Sequence, residues 1–275
     1  MSTNIEHRAI WPLQRRGNIG KSTCVSVLAQ YCDQRGAPWL GFDLDPEHAT
    51  FSRLFPEEVV LQPLGDEPEA EVIKIGRRCS ETPVTLIDPR AHLADAVLRG
   101  WEMIRFPEYF AAQGGRITVA LFPGDDLEIL TDIDGLVSRL GNKVDYLVVR
   151  NPARQPRTRM FDGSALEEDM QRLGAAFLEL PPLLAVARNH LSALEADLGR
   201  GVTQLEAVAN RELPLDGMIR LVIEDWIRTI FRRFDQVADK LLPSEYAAKI
   251  TRVDAATVVG ASRITRGAKI NKTNL

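Results

Sequence analysis

The segment from Ala9 to Leu28, AIWPLQRRGNIGKSTCVSVL, constrains the fold of this chain more than any other stretch. It begins with a short apolar run of strand type, passes through a turn that contains Gly17 and Gly20, and continues as an amphipathic helix. A strand, a glycine-containing loop and a helix in this order are typical of a phosphate-binding loop. Glycines let backbone N–H groups turn inward, and the helix N-terminus adds positive dipole charge at the same point. The segment therefore predicts a nucleotide-binding site.

Each residue of the loop has an expected role in binding ATP together with Mg²⁺. Lys21 is expected to reach the β- and γ-phosphates, and the hydroxyl of Ser22 is expected to bind Mg²⁺. The residues expected to surround the nucleotide phosphates are Gly17, Asn18, Ile19, Gly20, Lys21, Ser22 and Thr23. The loop departs from the usual G-x-x-x-x-G-K-[ST] pattern, because Arg15 stands where the first glycine is expected.

Apolar runs alternate with helical segments along the first two thirds of the chain. The predicted strands are 9–13, 38–42, 84–87, 117–122, 144–149 and 175–180, with a less clear short strand within 58–63. This alternation predicts an α/β fold with a mostly parallel sheet and helices on both faces. One of the helices is predicted over 92–113, with a kink at Pro107. Parallel sheets bind ligands at the carboxyl ends of their strands, so we expect one shared site there.

The C-terminal third of the chain changes character. We expect a P-loop nucleotide-binding domain over residues 1–243, of which 184–243 is helical, and a flexible basic tail over 244–275. The strongest helical periodicity runs over 216–242, and its apolar stripe is expected to pack on the sheet. Exposure of that stripe for a partner is the alternative. From Lys249 onward the sequence has six basic residues and one acidic residue.

Two predicted strands end in carboxylates that suit a magnesium site. Asp88 is expected to hold Mg²⁺ together with Ser22, and a helix-capping or turn aspartate before Pro89 is the alternative. Asp43 and Asp45 follow another strand, and we expect one of them to point toward the phosphates. We favour Asp45, which would position the attacking water or bind a metal-bound water. A turn with two solvated carboxylates is the alternative for this pair.

Composition excludes several other classes of protein. With 275 residues, 45% apolar residues and a net charge of −4, the chain can bury a large core and is not a polycation. Its three cysteines have unrelated spacings, so we expect neither a disulfide framework nor a cysteine metal site. The N-terminus has no apolar signal-peptide region, and no apolar run reaches membrane-spanning length. We therefore expect a cytoplasmic protein without a membrane span.

The loop sequence RGNIGKST resembles that of the ParA/MinD-type deviant Walker-A ATPases, which belong to the SIMIBI class of P-loop NTPases. Arg16 stands where these proteins have an extra lysine, and Asn18 stands where they have a glycine. The resemblance implies that Arg16 reaches the nucleotide of a second copy across a dimer, as a catalytic residue beside Lys21 and Asp45. A solvated basic loop at Arg15 and Arg16 is the alternative.

The run 28–54 is similar, more closely, to TraL-like and StbB-like ATPases of plasmid transfer and stability. The shared features are the Leu13-Gln14 pair before the loop and the D-x-DP-x-x-ATF pattern over 43–51. By this resemblance four positions belong to the nucleotide site: Asp45 as the water-positioning aspartate, Asp88 as the Walker-B aspartate, Asn151 as the reader of the adenine edge and Pro182 beside the base.

The resemblance implies an ATP-binding protein with slow hydrolysis, which dimerises over nucleotide and acts as a switch in plasmid partition, stability or conjugative transfer. Its expected partners are ATP or ADP, a second copy, a plasmid partition or transfer protein, and nonspecific DNA. DNA would bind through the basic tail and the loop Arg150–Arg159, for which a solvated loop is the alternative. The rival functions are a nucleotide-binding scaffold without hydrolysis and a P-loop small-molecule kinase.

Overall fold

Seven strands form one sheet in the computed structural model, which describes residues 4–250. The strands are β1 (His7–Pro12), β2 (Trp39–Asp43), β3 (Val59–Leu61), β4 (Val84–Asp88), β5 (Gly115–Leu121), β6 (Asp145–Arg150) and β7 (Ala176–Glu179). Every pair of neighbouring strands is parallel, and their spatial order is β3-β2-β4-β1-β5-β6-β7. The predicted α/β class with a parallel sheet is therefore confirmed.

Helices connect the strands and cover the sheet on both faces. In chain order they are α1 (Lys21–Arg35), α2 (Thr50–Leu54), α3 (Pro68–Arg78), α4 (Ala94–Ile104), α5 (Phe106–Ala112), α6 (Leu127–Leu140), α7 (Ala165–Arg172), α8 (Ala185–Leu198), α9 (Gln204–Ala209), α10 (Gly217–Gln236), α11 (Ala238–Leu241) and α12 (Ser244–Ile250). A 3₁₀ turn, Gly141–Lys143, precedes β6. No helix within the described residues is both long enough and apolar enough to cross a bilayer.

Helices cover both faces of the central strand β1, and its successive side chains point alternately into the two apolar layers. Ala9 and Trp11 belong to the apolar layer that contains side chains of α3, α4, α5 and α6. Ile10 belongs to the opposite layer, with side chains of α1, α2 and α10. The ring of Trp11 meets that of Trp101 on α4 edge to face, with centroids 5.3 Å apart. The loop that follows β1 thus starts from a strand that is buried on both faces.

The helix predicted over 92–113 is two helices, which is a correction. Arg105 lies between α4 and α5 with a φ of +49°, a left-handed conformation that no helix continues through. Pro107 then lies in the first turn of α5, where its missing N–H is not needed. The chain therefore breaks before the proline, and Pro107 helps to start the second helix.

The C-terminal third is helical as predicted, but the element boundaries differ. The helix predicted over 216–242 is interrupted at Val237, between α10 and α11. Residues 244–250 form α12, where the sequence predicted a tail without an element. The backbone N–H of Ser244 donates to the carbonyl of Ile5, which fixes the start of α12 beside the start of β1. The rest of the predicted basic tail, from residue 251, lies outside the described residues.

The apolar stripe of α10 is buried by two different neighbours. Ile227, Ile230 and Phe234 pack in the layer that covers one face of the sheet together with α1. Ile219 and Ile223, nearer the start of the helix, pack instead against α8 and α9. The helix α10 therefore packs on the sheet with its later turns and on α8 and α9 with its first turns. The predicted packing of its apolar stripe on the sheet is confirmed for the later turns.

A buried arginine fastens the sheet to α11 at the amino ends of the strands. Arg8 on β1 is fully buried, and its guanidinium donates to Asp145 Oδ2 at 2.6 Å and to Thr118 Oγ1 at 3.1 Å. It also donates to the backbone carbonyl of Asp239 at 2.5 Å. Arg116 and Lys240 complete the charge around Asp145. This cluster lies at the opposite edge of the sheet from the loop after β1.

Candidate functional site

The loop between β1 and α1 has the backbone shape of a phosphate cradle. Gly20 has a φ of +104° and Asn18 a φ of +58°, both in the left-handed region. Asparagine tolerates that region better than most other side chains with a Cβ, which explains how Asn18 stands where the loops that this one resembles have glycine. The N–H of Cys24 donates to the Gly20 carbonyl at 2.9 Å, so the first helical turn begins directly at the loop. The loop and helix N-terminus therefore face the same point.

Lys21 is folded back over the loop instead of extending into solvent. Its side chain is buried, and Nζ donates to the carbonyl of Arg16 at 2.7 Å and to that of Gln14 at 3.3 Å. Burial lowers the pKa of Lys21, although Asp88, Asp132 and Asp45 act in the opposite sense. Because the carbonyls of Gln14 and Arg16 hold the Lys21 ammonium over the loop, it lies where it could form charge-assisted hydrogen bonds with a bound polyphosphate.

Gln14 holds the entrance of the loop to the neighbouring strand. Its Oε1 accepts the backbone N–H of Phe122 at 2.6 Å, and its Nε2 donates to the carbonyl of the same residue at 3.2 Å. Phe122 follows β5, so this two-way amide contact ties β1 to β5 at the carboxyl edge. Sequence reasoning gave Gln14 no role of its own, since a single glutamine carries no pattern that predicts such a contact.

Asp88 ends β4 with a carboxylate that lacks a full set of partners. The residue is only 2% exposed, and its Oδ1 is buried without a hydrogen bond. Burial raises the pKa of Asp88 to about 7, against the opposing influence of the Ser22 hydroxyl and of Lys21. A buried carboxylate oxygen without a partner beside a serine hydroxyl fits the oxygen ligands that Mg²⁺ prefers. Asp88 is not a helix cap, because α4 begins at Ala94 after Leu93.

Asp43 and Asp45 have separate functions in the structure. Asp43 is fully buried, and its Oδ2 accepts the N–H groups of Phe51 and Ser52 as well as the Ser52 hydroxyl, at 2.9–3.1 Å. It therefore caps α2, a helix that the sequence did not predict. Asp45 is partly exposed, and its carboxylate contacts His48 Nδ1 at 3.0 Å. The alternative of two solvated carboxylates does not describe this pair.

Arg15 and Arg16 are engaged with acidic side chains of the same chain. Arg15 Nη2 donates to Asp95 at 2.8 Å, and its backbone N–H donates to Asp132 at 3.0 Å. Arg16 Nη1 donates to Glu128 at 3.2 Å, near the start of α6. Both arginines are about half exposed, so these pairs are of the weak, surface kind. In the described structure Arg16 is thus held by its own chain, and the role across a dimer stays a prediction.

Asn151 lies beside the phosphate loop, directly after β6. The residue is 5% exposed, and its Nδ2 donates to the carbonyl of Ile19 at 3.0 Å. The N–H of Leu180 donates to the carbonyl of Arg150 at 2.8 Å, which brings Pro182 to the same edge of the sheet. The structure therefore places Asn151 next to the loop and Pro182 after β7 at the same edge of the sheet, and their roles in nucleotide binding stay predictions.

The loop Arg150–Arg159 contains two kinds of arginine. Arg150 is paired with Asp162 and Glu167, each at 2.8 Å, so its charge is already compensated within the chain. Arg154, Arg157 and Arg159 are exposed and make no ion pair within residues 4–250. If this loop forms a basic contact surface, the arginines available for it are therefore Arg154, Arg157 and Arg159.

No protein-family model and no curated protein matches the chain. Among solved structures, chloroplast FtsY from Physcomitrella patens is similar at 16% identity with a TM-score of 0.41, over 66% of this chain and 59% of that one. The chain thus spans less than two thirds of that protein. The MinD cell division protein of Aquifex aeolicus is similar at 13% identity with a TM-score of 0.44, over 82% of this chain and 96% of its own.

A nucleotide-binding protein from Archaeoglobus fulgidus, whose structure is a complex with ADP, is also similar, at 17% identity with a TM-score of 0.42. It covers 64% of this chain and 82% of its own length. These likenesses concern overall architecture, assign no residue and do not extend to the TraL-like or StbB-like subtype. The strand order, and the loop that leads from the central strand through a left-handed Gly20 into α1, are observed in this chain itself and do not depend on these likenesses.

Proposed function

We propose that this protein binds ATP with Mg²⁺ in the loop 17–23 and that nucleotide controls its association with a second copy. One observation carries the proposal: the buried ammonium of Lys21 and the buried, unpartnered oxygen of Asp88 flank the start of α1. Lys21 and Asp88 have opposite charges and no mutual ion pair within the described residues. A bound polyphosphate with its metal ion would supply a partner to each.

Each side chain of the site would then act on charge or position. Ser22 and Asp88 would hold Mg²⁺, which neutralises phosphate charge when bound. Lys21 would neutralise the terminal phosphates, and Asp45, on the exposed side of the site, would orient the attacking water. Hydrolysis of this kind depends on positioning more than on covalent chemistry, so a slow ATPase is compatible with the side chains present.

The wider role that the resemblance supports is a switch in plasmid partition, stability or conjugative transfer. A switch requires that nucleotide favour one association state over another. Arg16 would contribute by leaving Glu128 for the nucleotide of the second copy. Exposed Arg154, Arg157 and Arg159 would contact the phosphates of nonspecific DNA. A partition or transfer protein would be a further partner.

A second function, a nucleotide-binding scaffold without hydrolysis, is favoured by the ion pairs of Arg15 and Arg16. Both arginines are occupied by acidic side chains of α4 and α6, so neither is free for a catalytic contact in this conformation. If the pairs persist in the presence of ATP and a second copy, nucleotide would bind without turnover.

Calorimetric titration with ATP and Mg²⁺ tests the proposed site. We expect wild-type protein to bind and Lys21→Ala to lose binding by at least about a hundredfold, because it removes a charge-assisted contact to phosphate. Lys143→Ala removes an exposed lysine on the 3₁₀ turn and serves as the matched control, with unchanged affinity. Equal affinity of Lys21→Ala and wild type would contradict the proposal. Phosphate release by the bound state then separates the ATPase from the scaffold.

A further inference from the structure

The amide of Asn151 is directed at the backbone of the phosphate loop. Its Nδ2 lies 3.0 Å from the carbonyl oxygen of Ile19, and the residue is nearly excluded from solvent. A carbonyl can only accept, so the contact fixes the amide orientation: Nδ2 faces the loop and Oδ1 faces away. Within residues 4–250, Oδ1 accepts no hydrogen bond. The NH₂ group of the Asn151 amide is therefore already hydrogen-bonded to the loop before any ligand binds.

Gly20 and Asn151 are fitted to one another. A Cβ on Gly20 would lie 2.0 Å from Asn151 Nδ2, a distance that no side chain can adopt. The φ of +104° at Gly20 disfavours other residues independently. The Asn151 amide thus occupies the space beside the glycine, and the loop passes close enough to be held by it.

Holding the Ile19 carbonyl also sets the direction of the next N–H group. The peptide bond is planar and trans, so the Gly20 N–H points away from the Ile19 carbonyl. That N–H donates to no group within the described residues, as expected for a position just before a helix start. Because the Ile19 carbonyl is fixed toward Asn151, the Gly20 N–H points away from Asn151. In that direction it can donate to an anion bound at the start of α1.

We propose that Asn151 is a positioning residue for the phosphate loop, which holds the Ile19 carbonyl so that the Gly20 N–H is set for a polyphosphate. The inference rests on the proposed function and deepens it, since it assigns Asn151 to the phosphate half of the ligand. A residue that only reads a base affects ligands with that base. A residue that shapes the loop affects every polyphosphate, including inorganic tripolyphosphate.

The test compares two ligands and two asparagine variants by calorimetry in the presence of Mg²⁺. ATP and inorganic tripolyphosphate are titrated into wild type, Asn151→Ala and the control Asn142→Ala, which truncates an exposed asparagine at the opposite edge of the sheet. We expect Asn151→Ala to weaken both ligands by a similar factor, about tenfold for one lost hydrogen bond. Asn142→Ala leaves both affinities unchanged. Competition with ATP verifies that tripolyphosphate occupies the same site.

Several outcomes overturn the inference and leave the proposed function intact. Loss of ATP affinity with unchanged tripolyphosphate affinity would make Asn151 a reader of the base alone. Unchanged affinity for both ligands, or a wild type that binds ATP and ignores tripolyphosphate, overturns it equally. If Asn151→Ala does not fold, Asn151→Ser replaces it, since the hydroxyl is too short to reach Ile19 and keeps a polar group in place. A folded wild type that binds neither ligand contradicts the proposed function instead.

Discussion

Asp43 and Asp45 show how much two neighbouring residues of the same type can differ. Asp43 has three donors on one oxygen and no exposure, so its charge is used to start α2. Asp45 keeps its carboxylate at the partly open side, and its negative charge reaches both Lys21 and Asp88. Substitution of Asp43 is therefore expected to damage folding, whereas Asp45 is the informative residue for hydrolysis.

Asp45→Asn is expected to retain ATP binding and to lower phosphate release by about a hundredfold, the usual scale for a side chain that handles the attacking water. The amide keeps an acceptor for the backbone N–H groups of Glu47 and His48, so the turn is preserved. Asp66→Asn, at an exposed position, is the control. Phosphate release is measured under saturating ATP, and equal rates for Asp45→Asn and wild type would remove Asp45 from this role.

At the scale of elements, the sequence predicted what depends on local pattern. Periodicity and glycine placement predicted the loop, α1 and the ends of the central strands, because buried parallel strands need continuous apolar runs. The helix α2 was not predicted, since Thr50–Leu54 is too short for periodicity and depends on the buried Asp43 to begin. The two hydrogen bonds between the Gln14 amide and the backbone of Phe122 join residues far apart in sequence, and no local pattern encodes such a contact.

The same limit applies to the basic loop after β6. Sequence alone grouped Arg150 with Arg154, Arg157 and Arg159, but the acids that occupy Arg150 come from α7 and the segment before it. Charge pairing is a tertiary property, so composition overestimates how many charges of a loop are available. The site residues at strand ends were easier to predict, because the carboxyl edge of a parallel sheet brings them together by topology.

We expect Arg157→Ala to weaken binding of nonspecific duplex DNA and to reduce the slope of log affinity against log salt by about 0.9, the value for one lost phosphate contact. Arg77→Ala, which removes an exposed arginine on α3, should leave the slope unchanged. Fluorescence anisotropy with a labelled duplex at several salt concentrations measures both. An unchanged slope for Arg157→Ala would exclude Arg157 as a contact to DNA phosphate.

At the scale of the whole molecule, the two edges of the sheet carry different charge arrangements. The carboxyl edge holds Lys21, which is bonded to two backbone carbonyls and has no ion pair within the described residues, and Asp88, which has a buried oxygen without a hydrogen bond. The amino edge holds Arg8 and Asp145 in direct contact, with Arg8 also bonded to the backbone of Asp239. Buried charges are costly unless they are paired, so removal of either partner at the amino edge is expected to destabilise the fold.

Asp145→Asn is expected to lower the free energy of unfolding by about 3 kcal/mol at pH 7, because it leaves Arg8 buried without its counter-charge. Burial alone would raise the pKa of Asp145, but Arg8, Arg116 and Lys240 outweigh it and lower the pKa. A lowered pKa stabilises the folded state above the ordinary carboxyl value and loses that effect as pH falls through the folded value. The deficit of the variant should therefore be constant from pH 7 to pH 5 and shrink below about pH 4.

Urea unfolding at several pH values measures this deficit, with the exposed Asp134→Asn as the control. A deficit that does not change between pH 7 and pH 3 would show that the loss comes from packing and not from charge.

The contact between α10 and the segment after β7 includes a tryptophan, Trp226, whose fluorescence could report on nucleotide binding. Trp226 is half-buried, and its indole N–H donates to the carbonyl of Pro181 at 2.7 Å, one residue before Pro182. The other three tryptophans are buried in the apolar layers of the sheet. Nucleotide that settles against Pro182 would alter the surroundings of this one indole. Its emission would then report occupancy in real time, without a label, and Trp226→Phe would abolish the change.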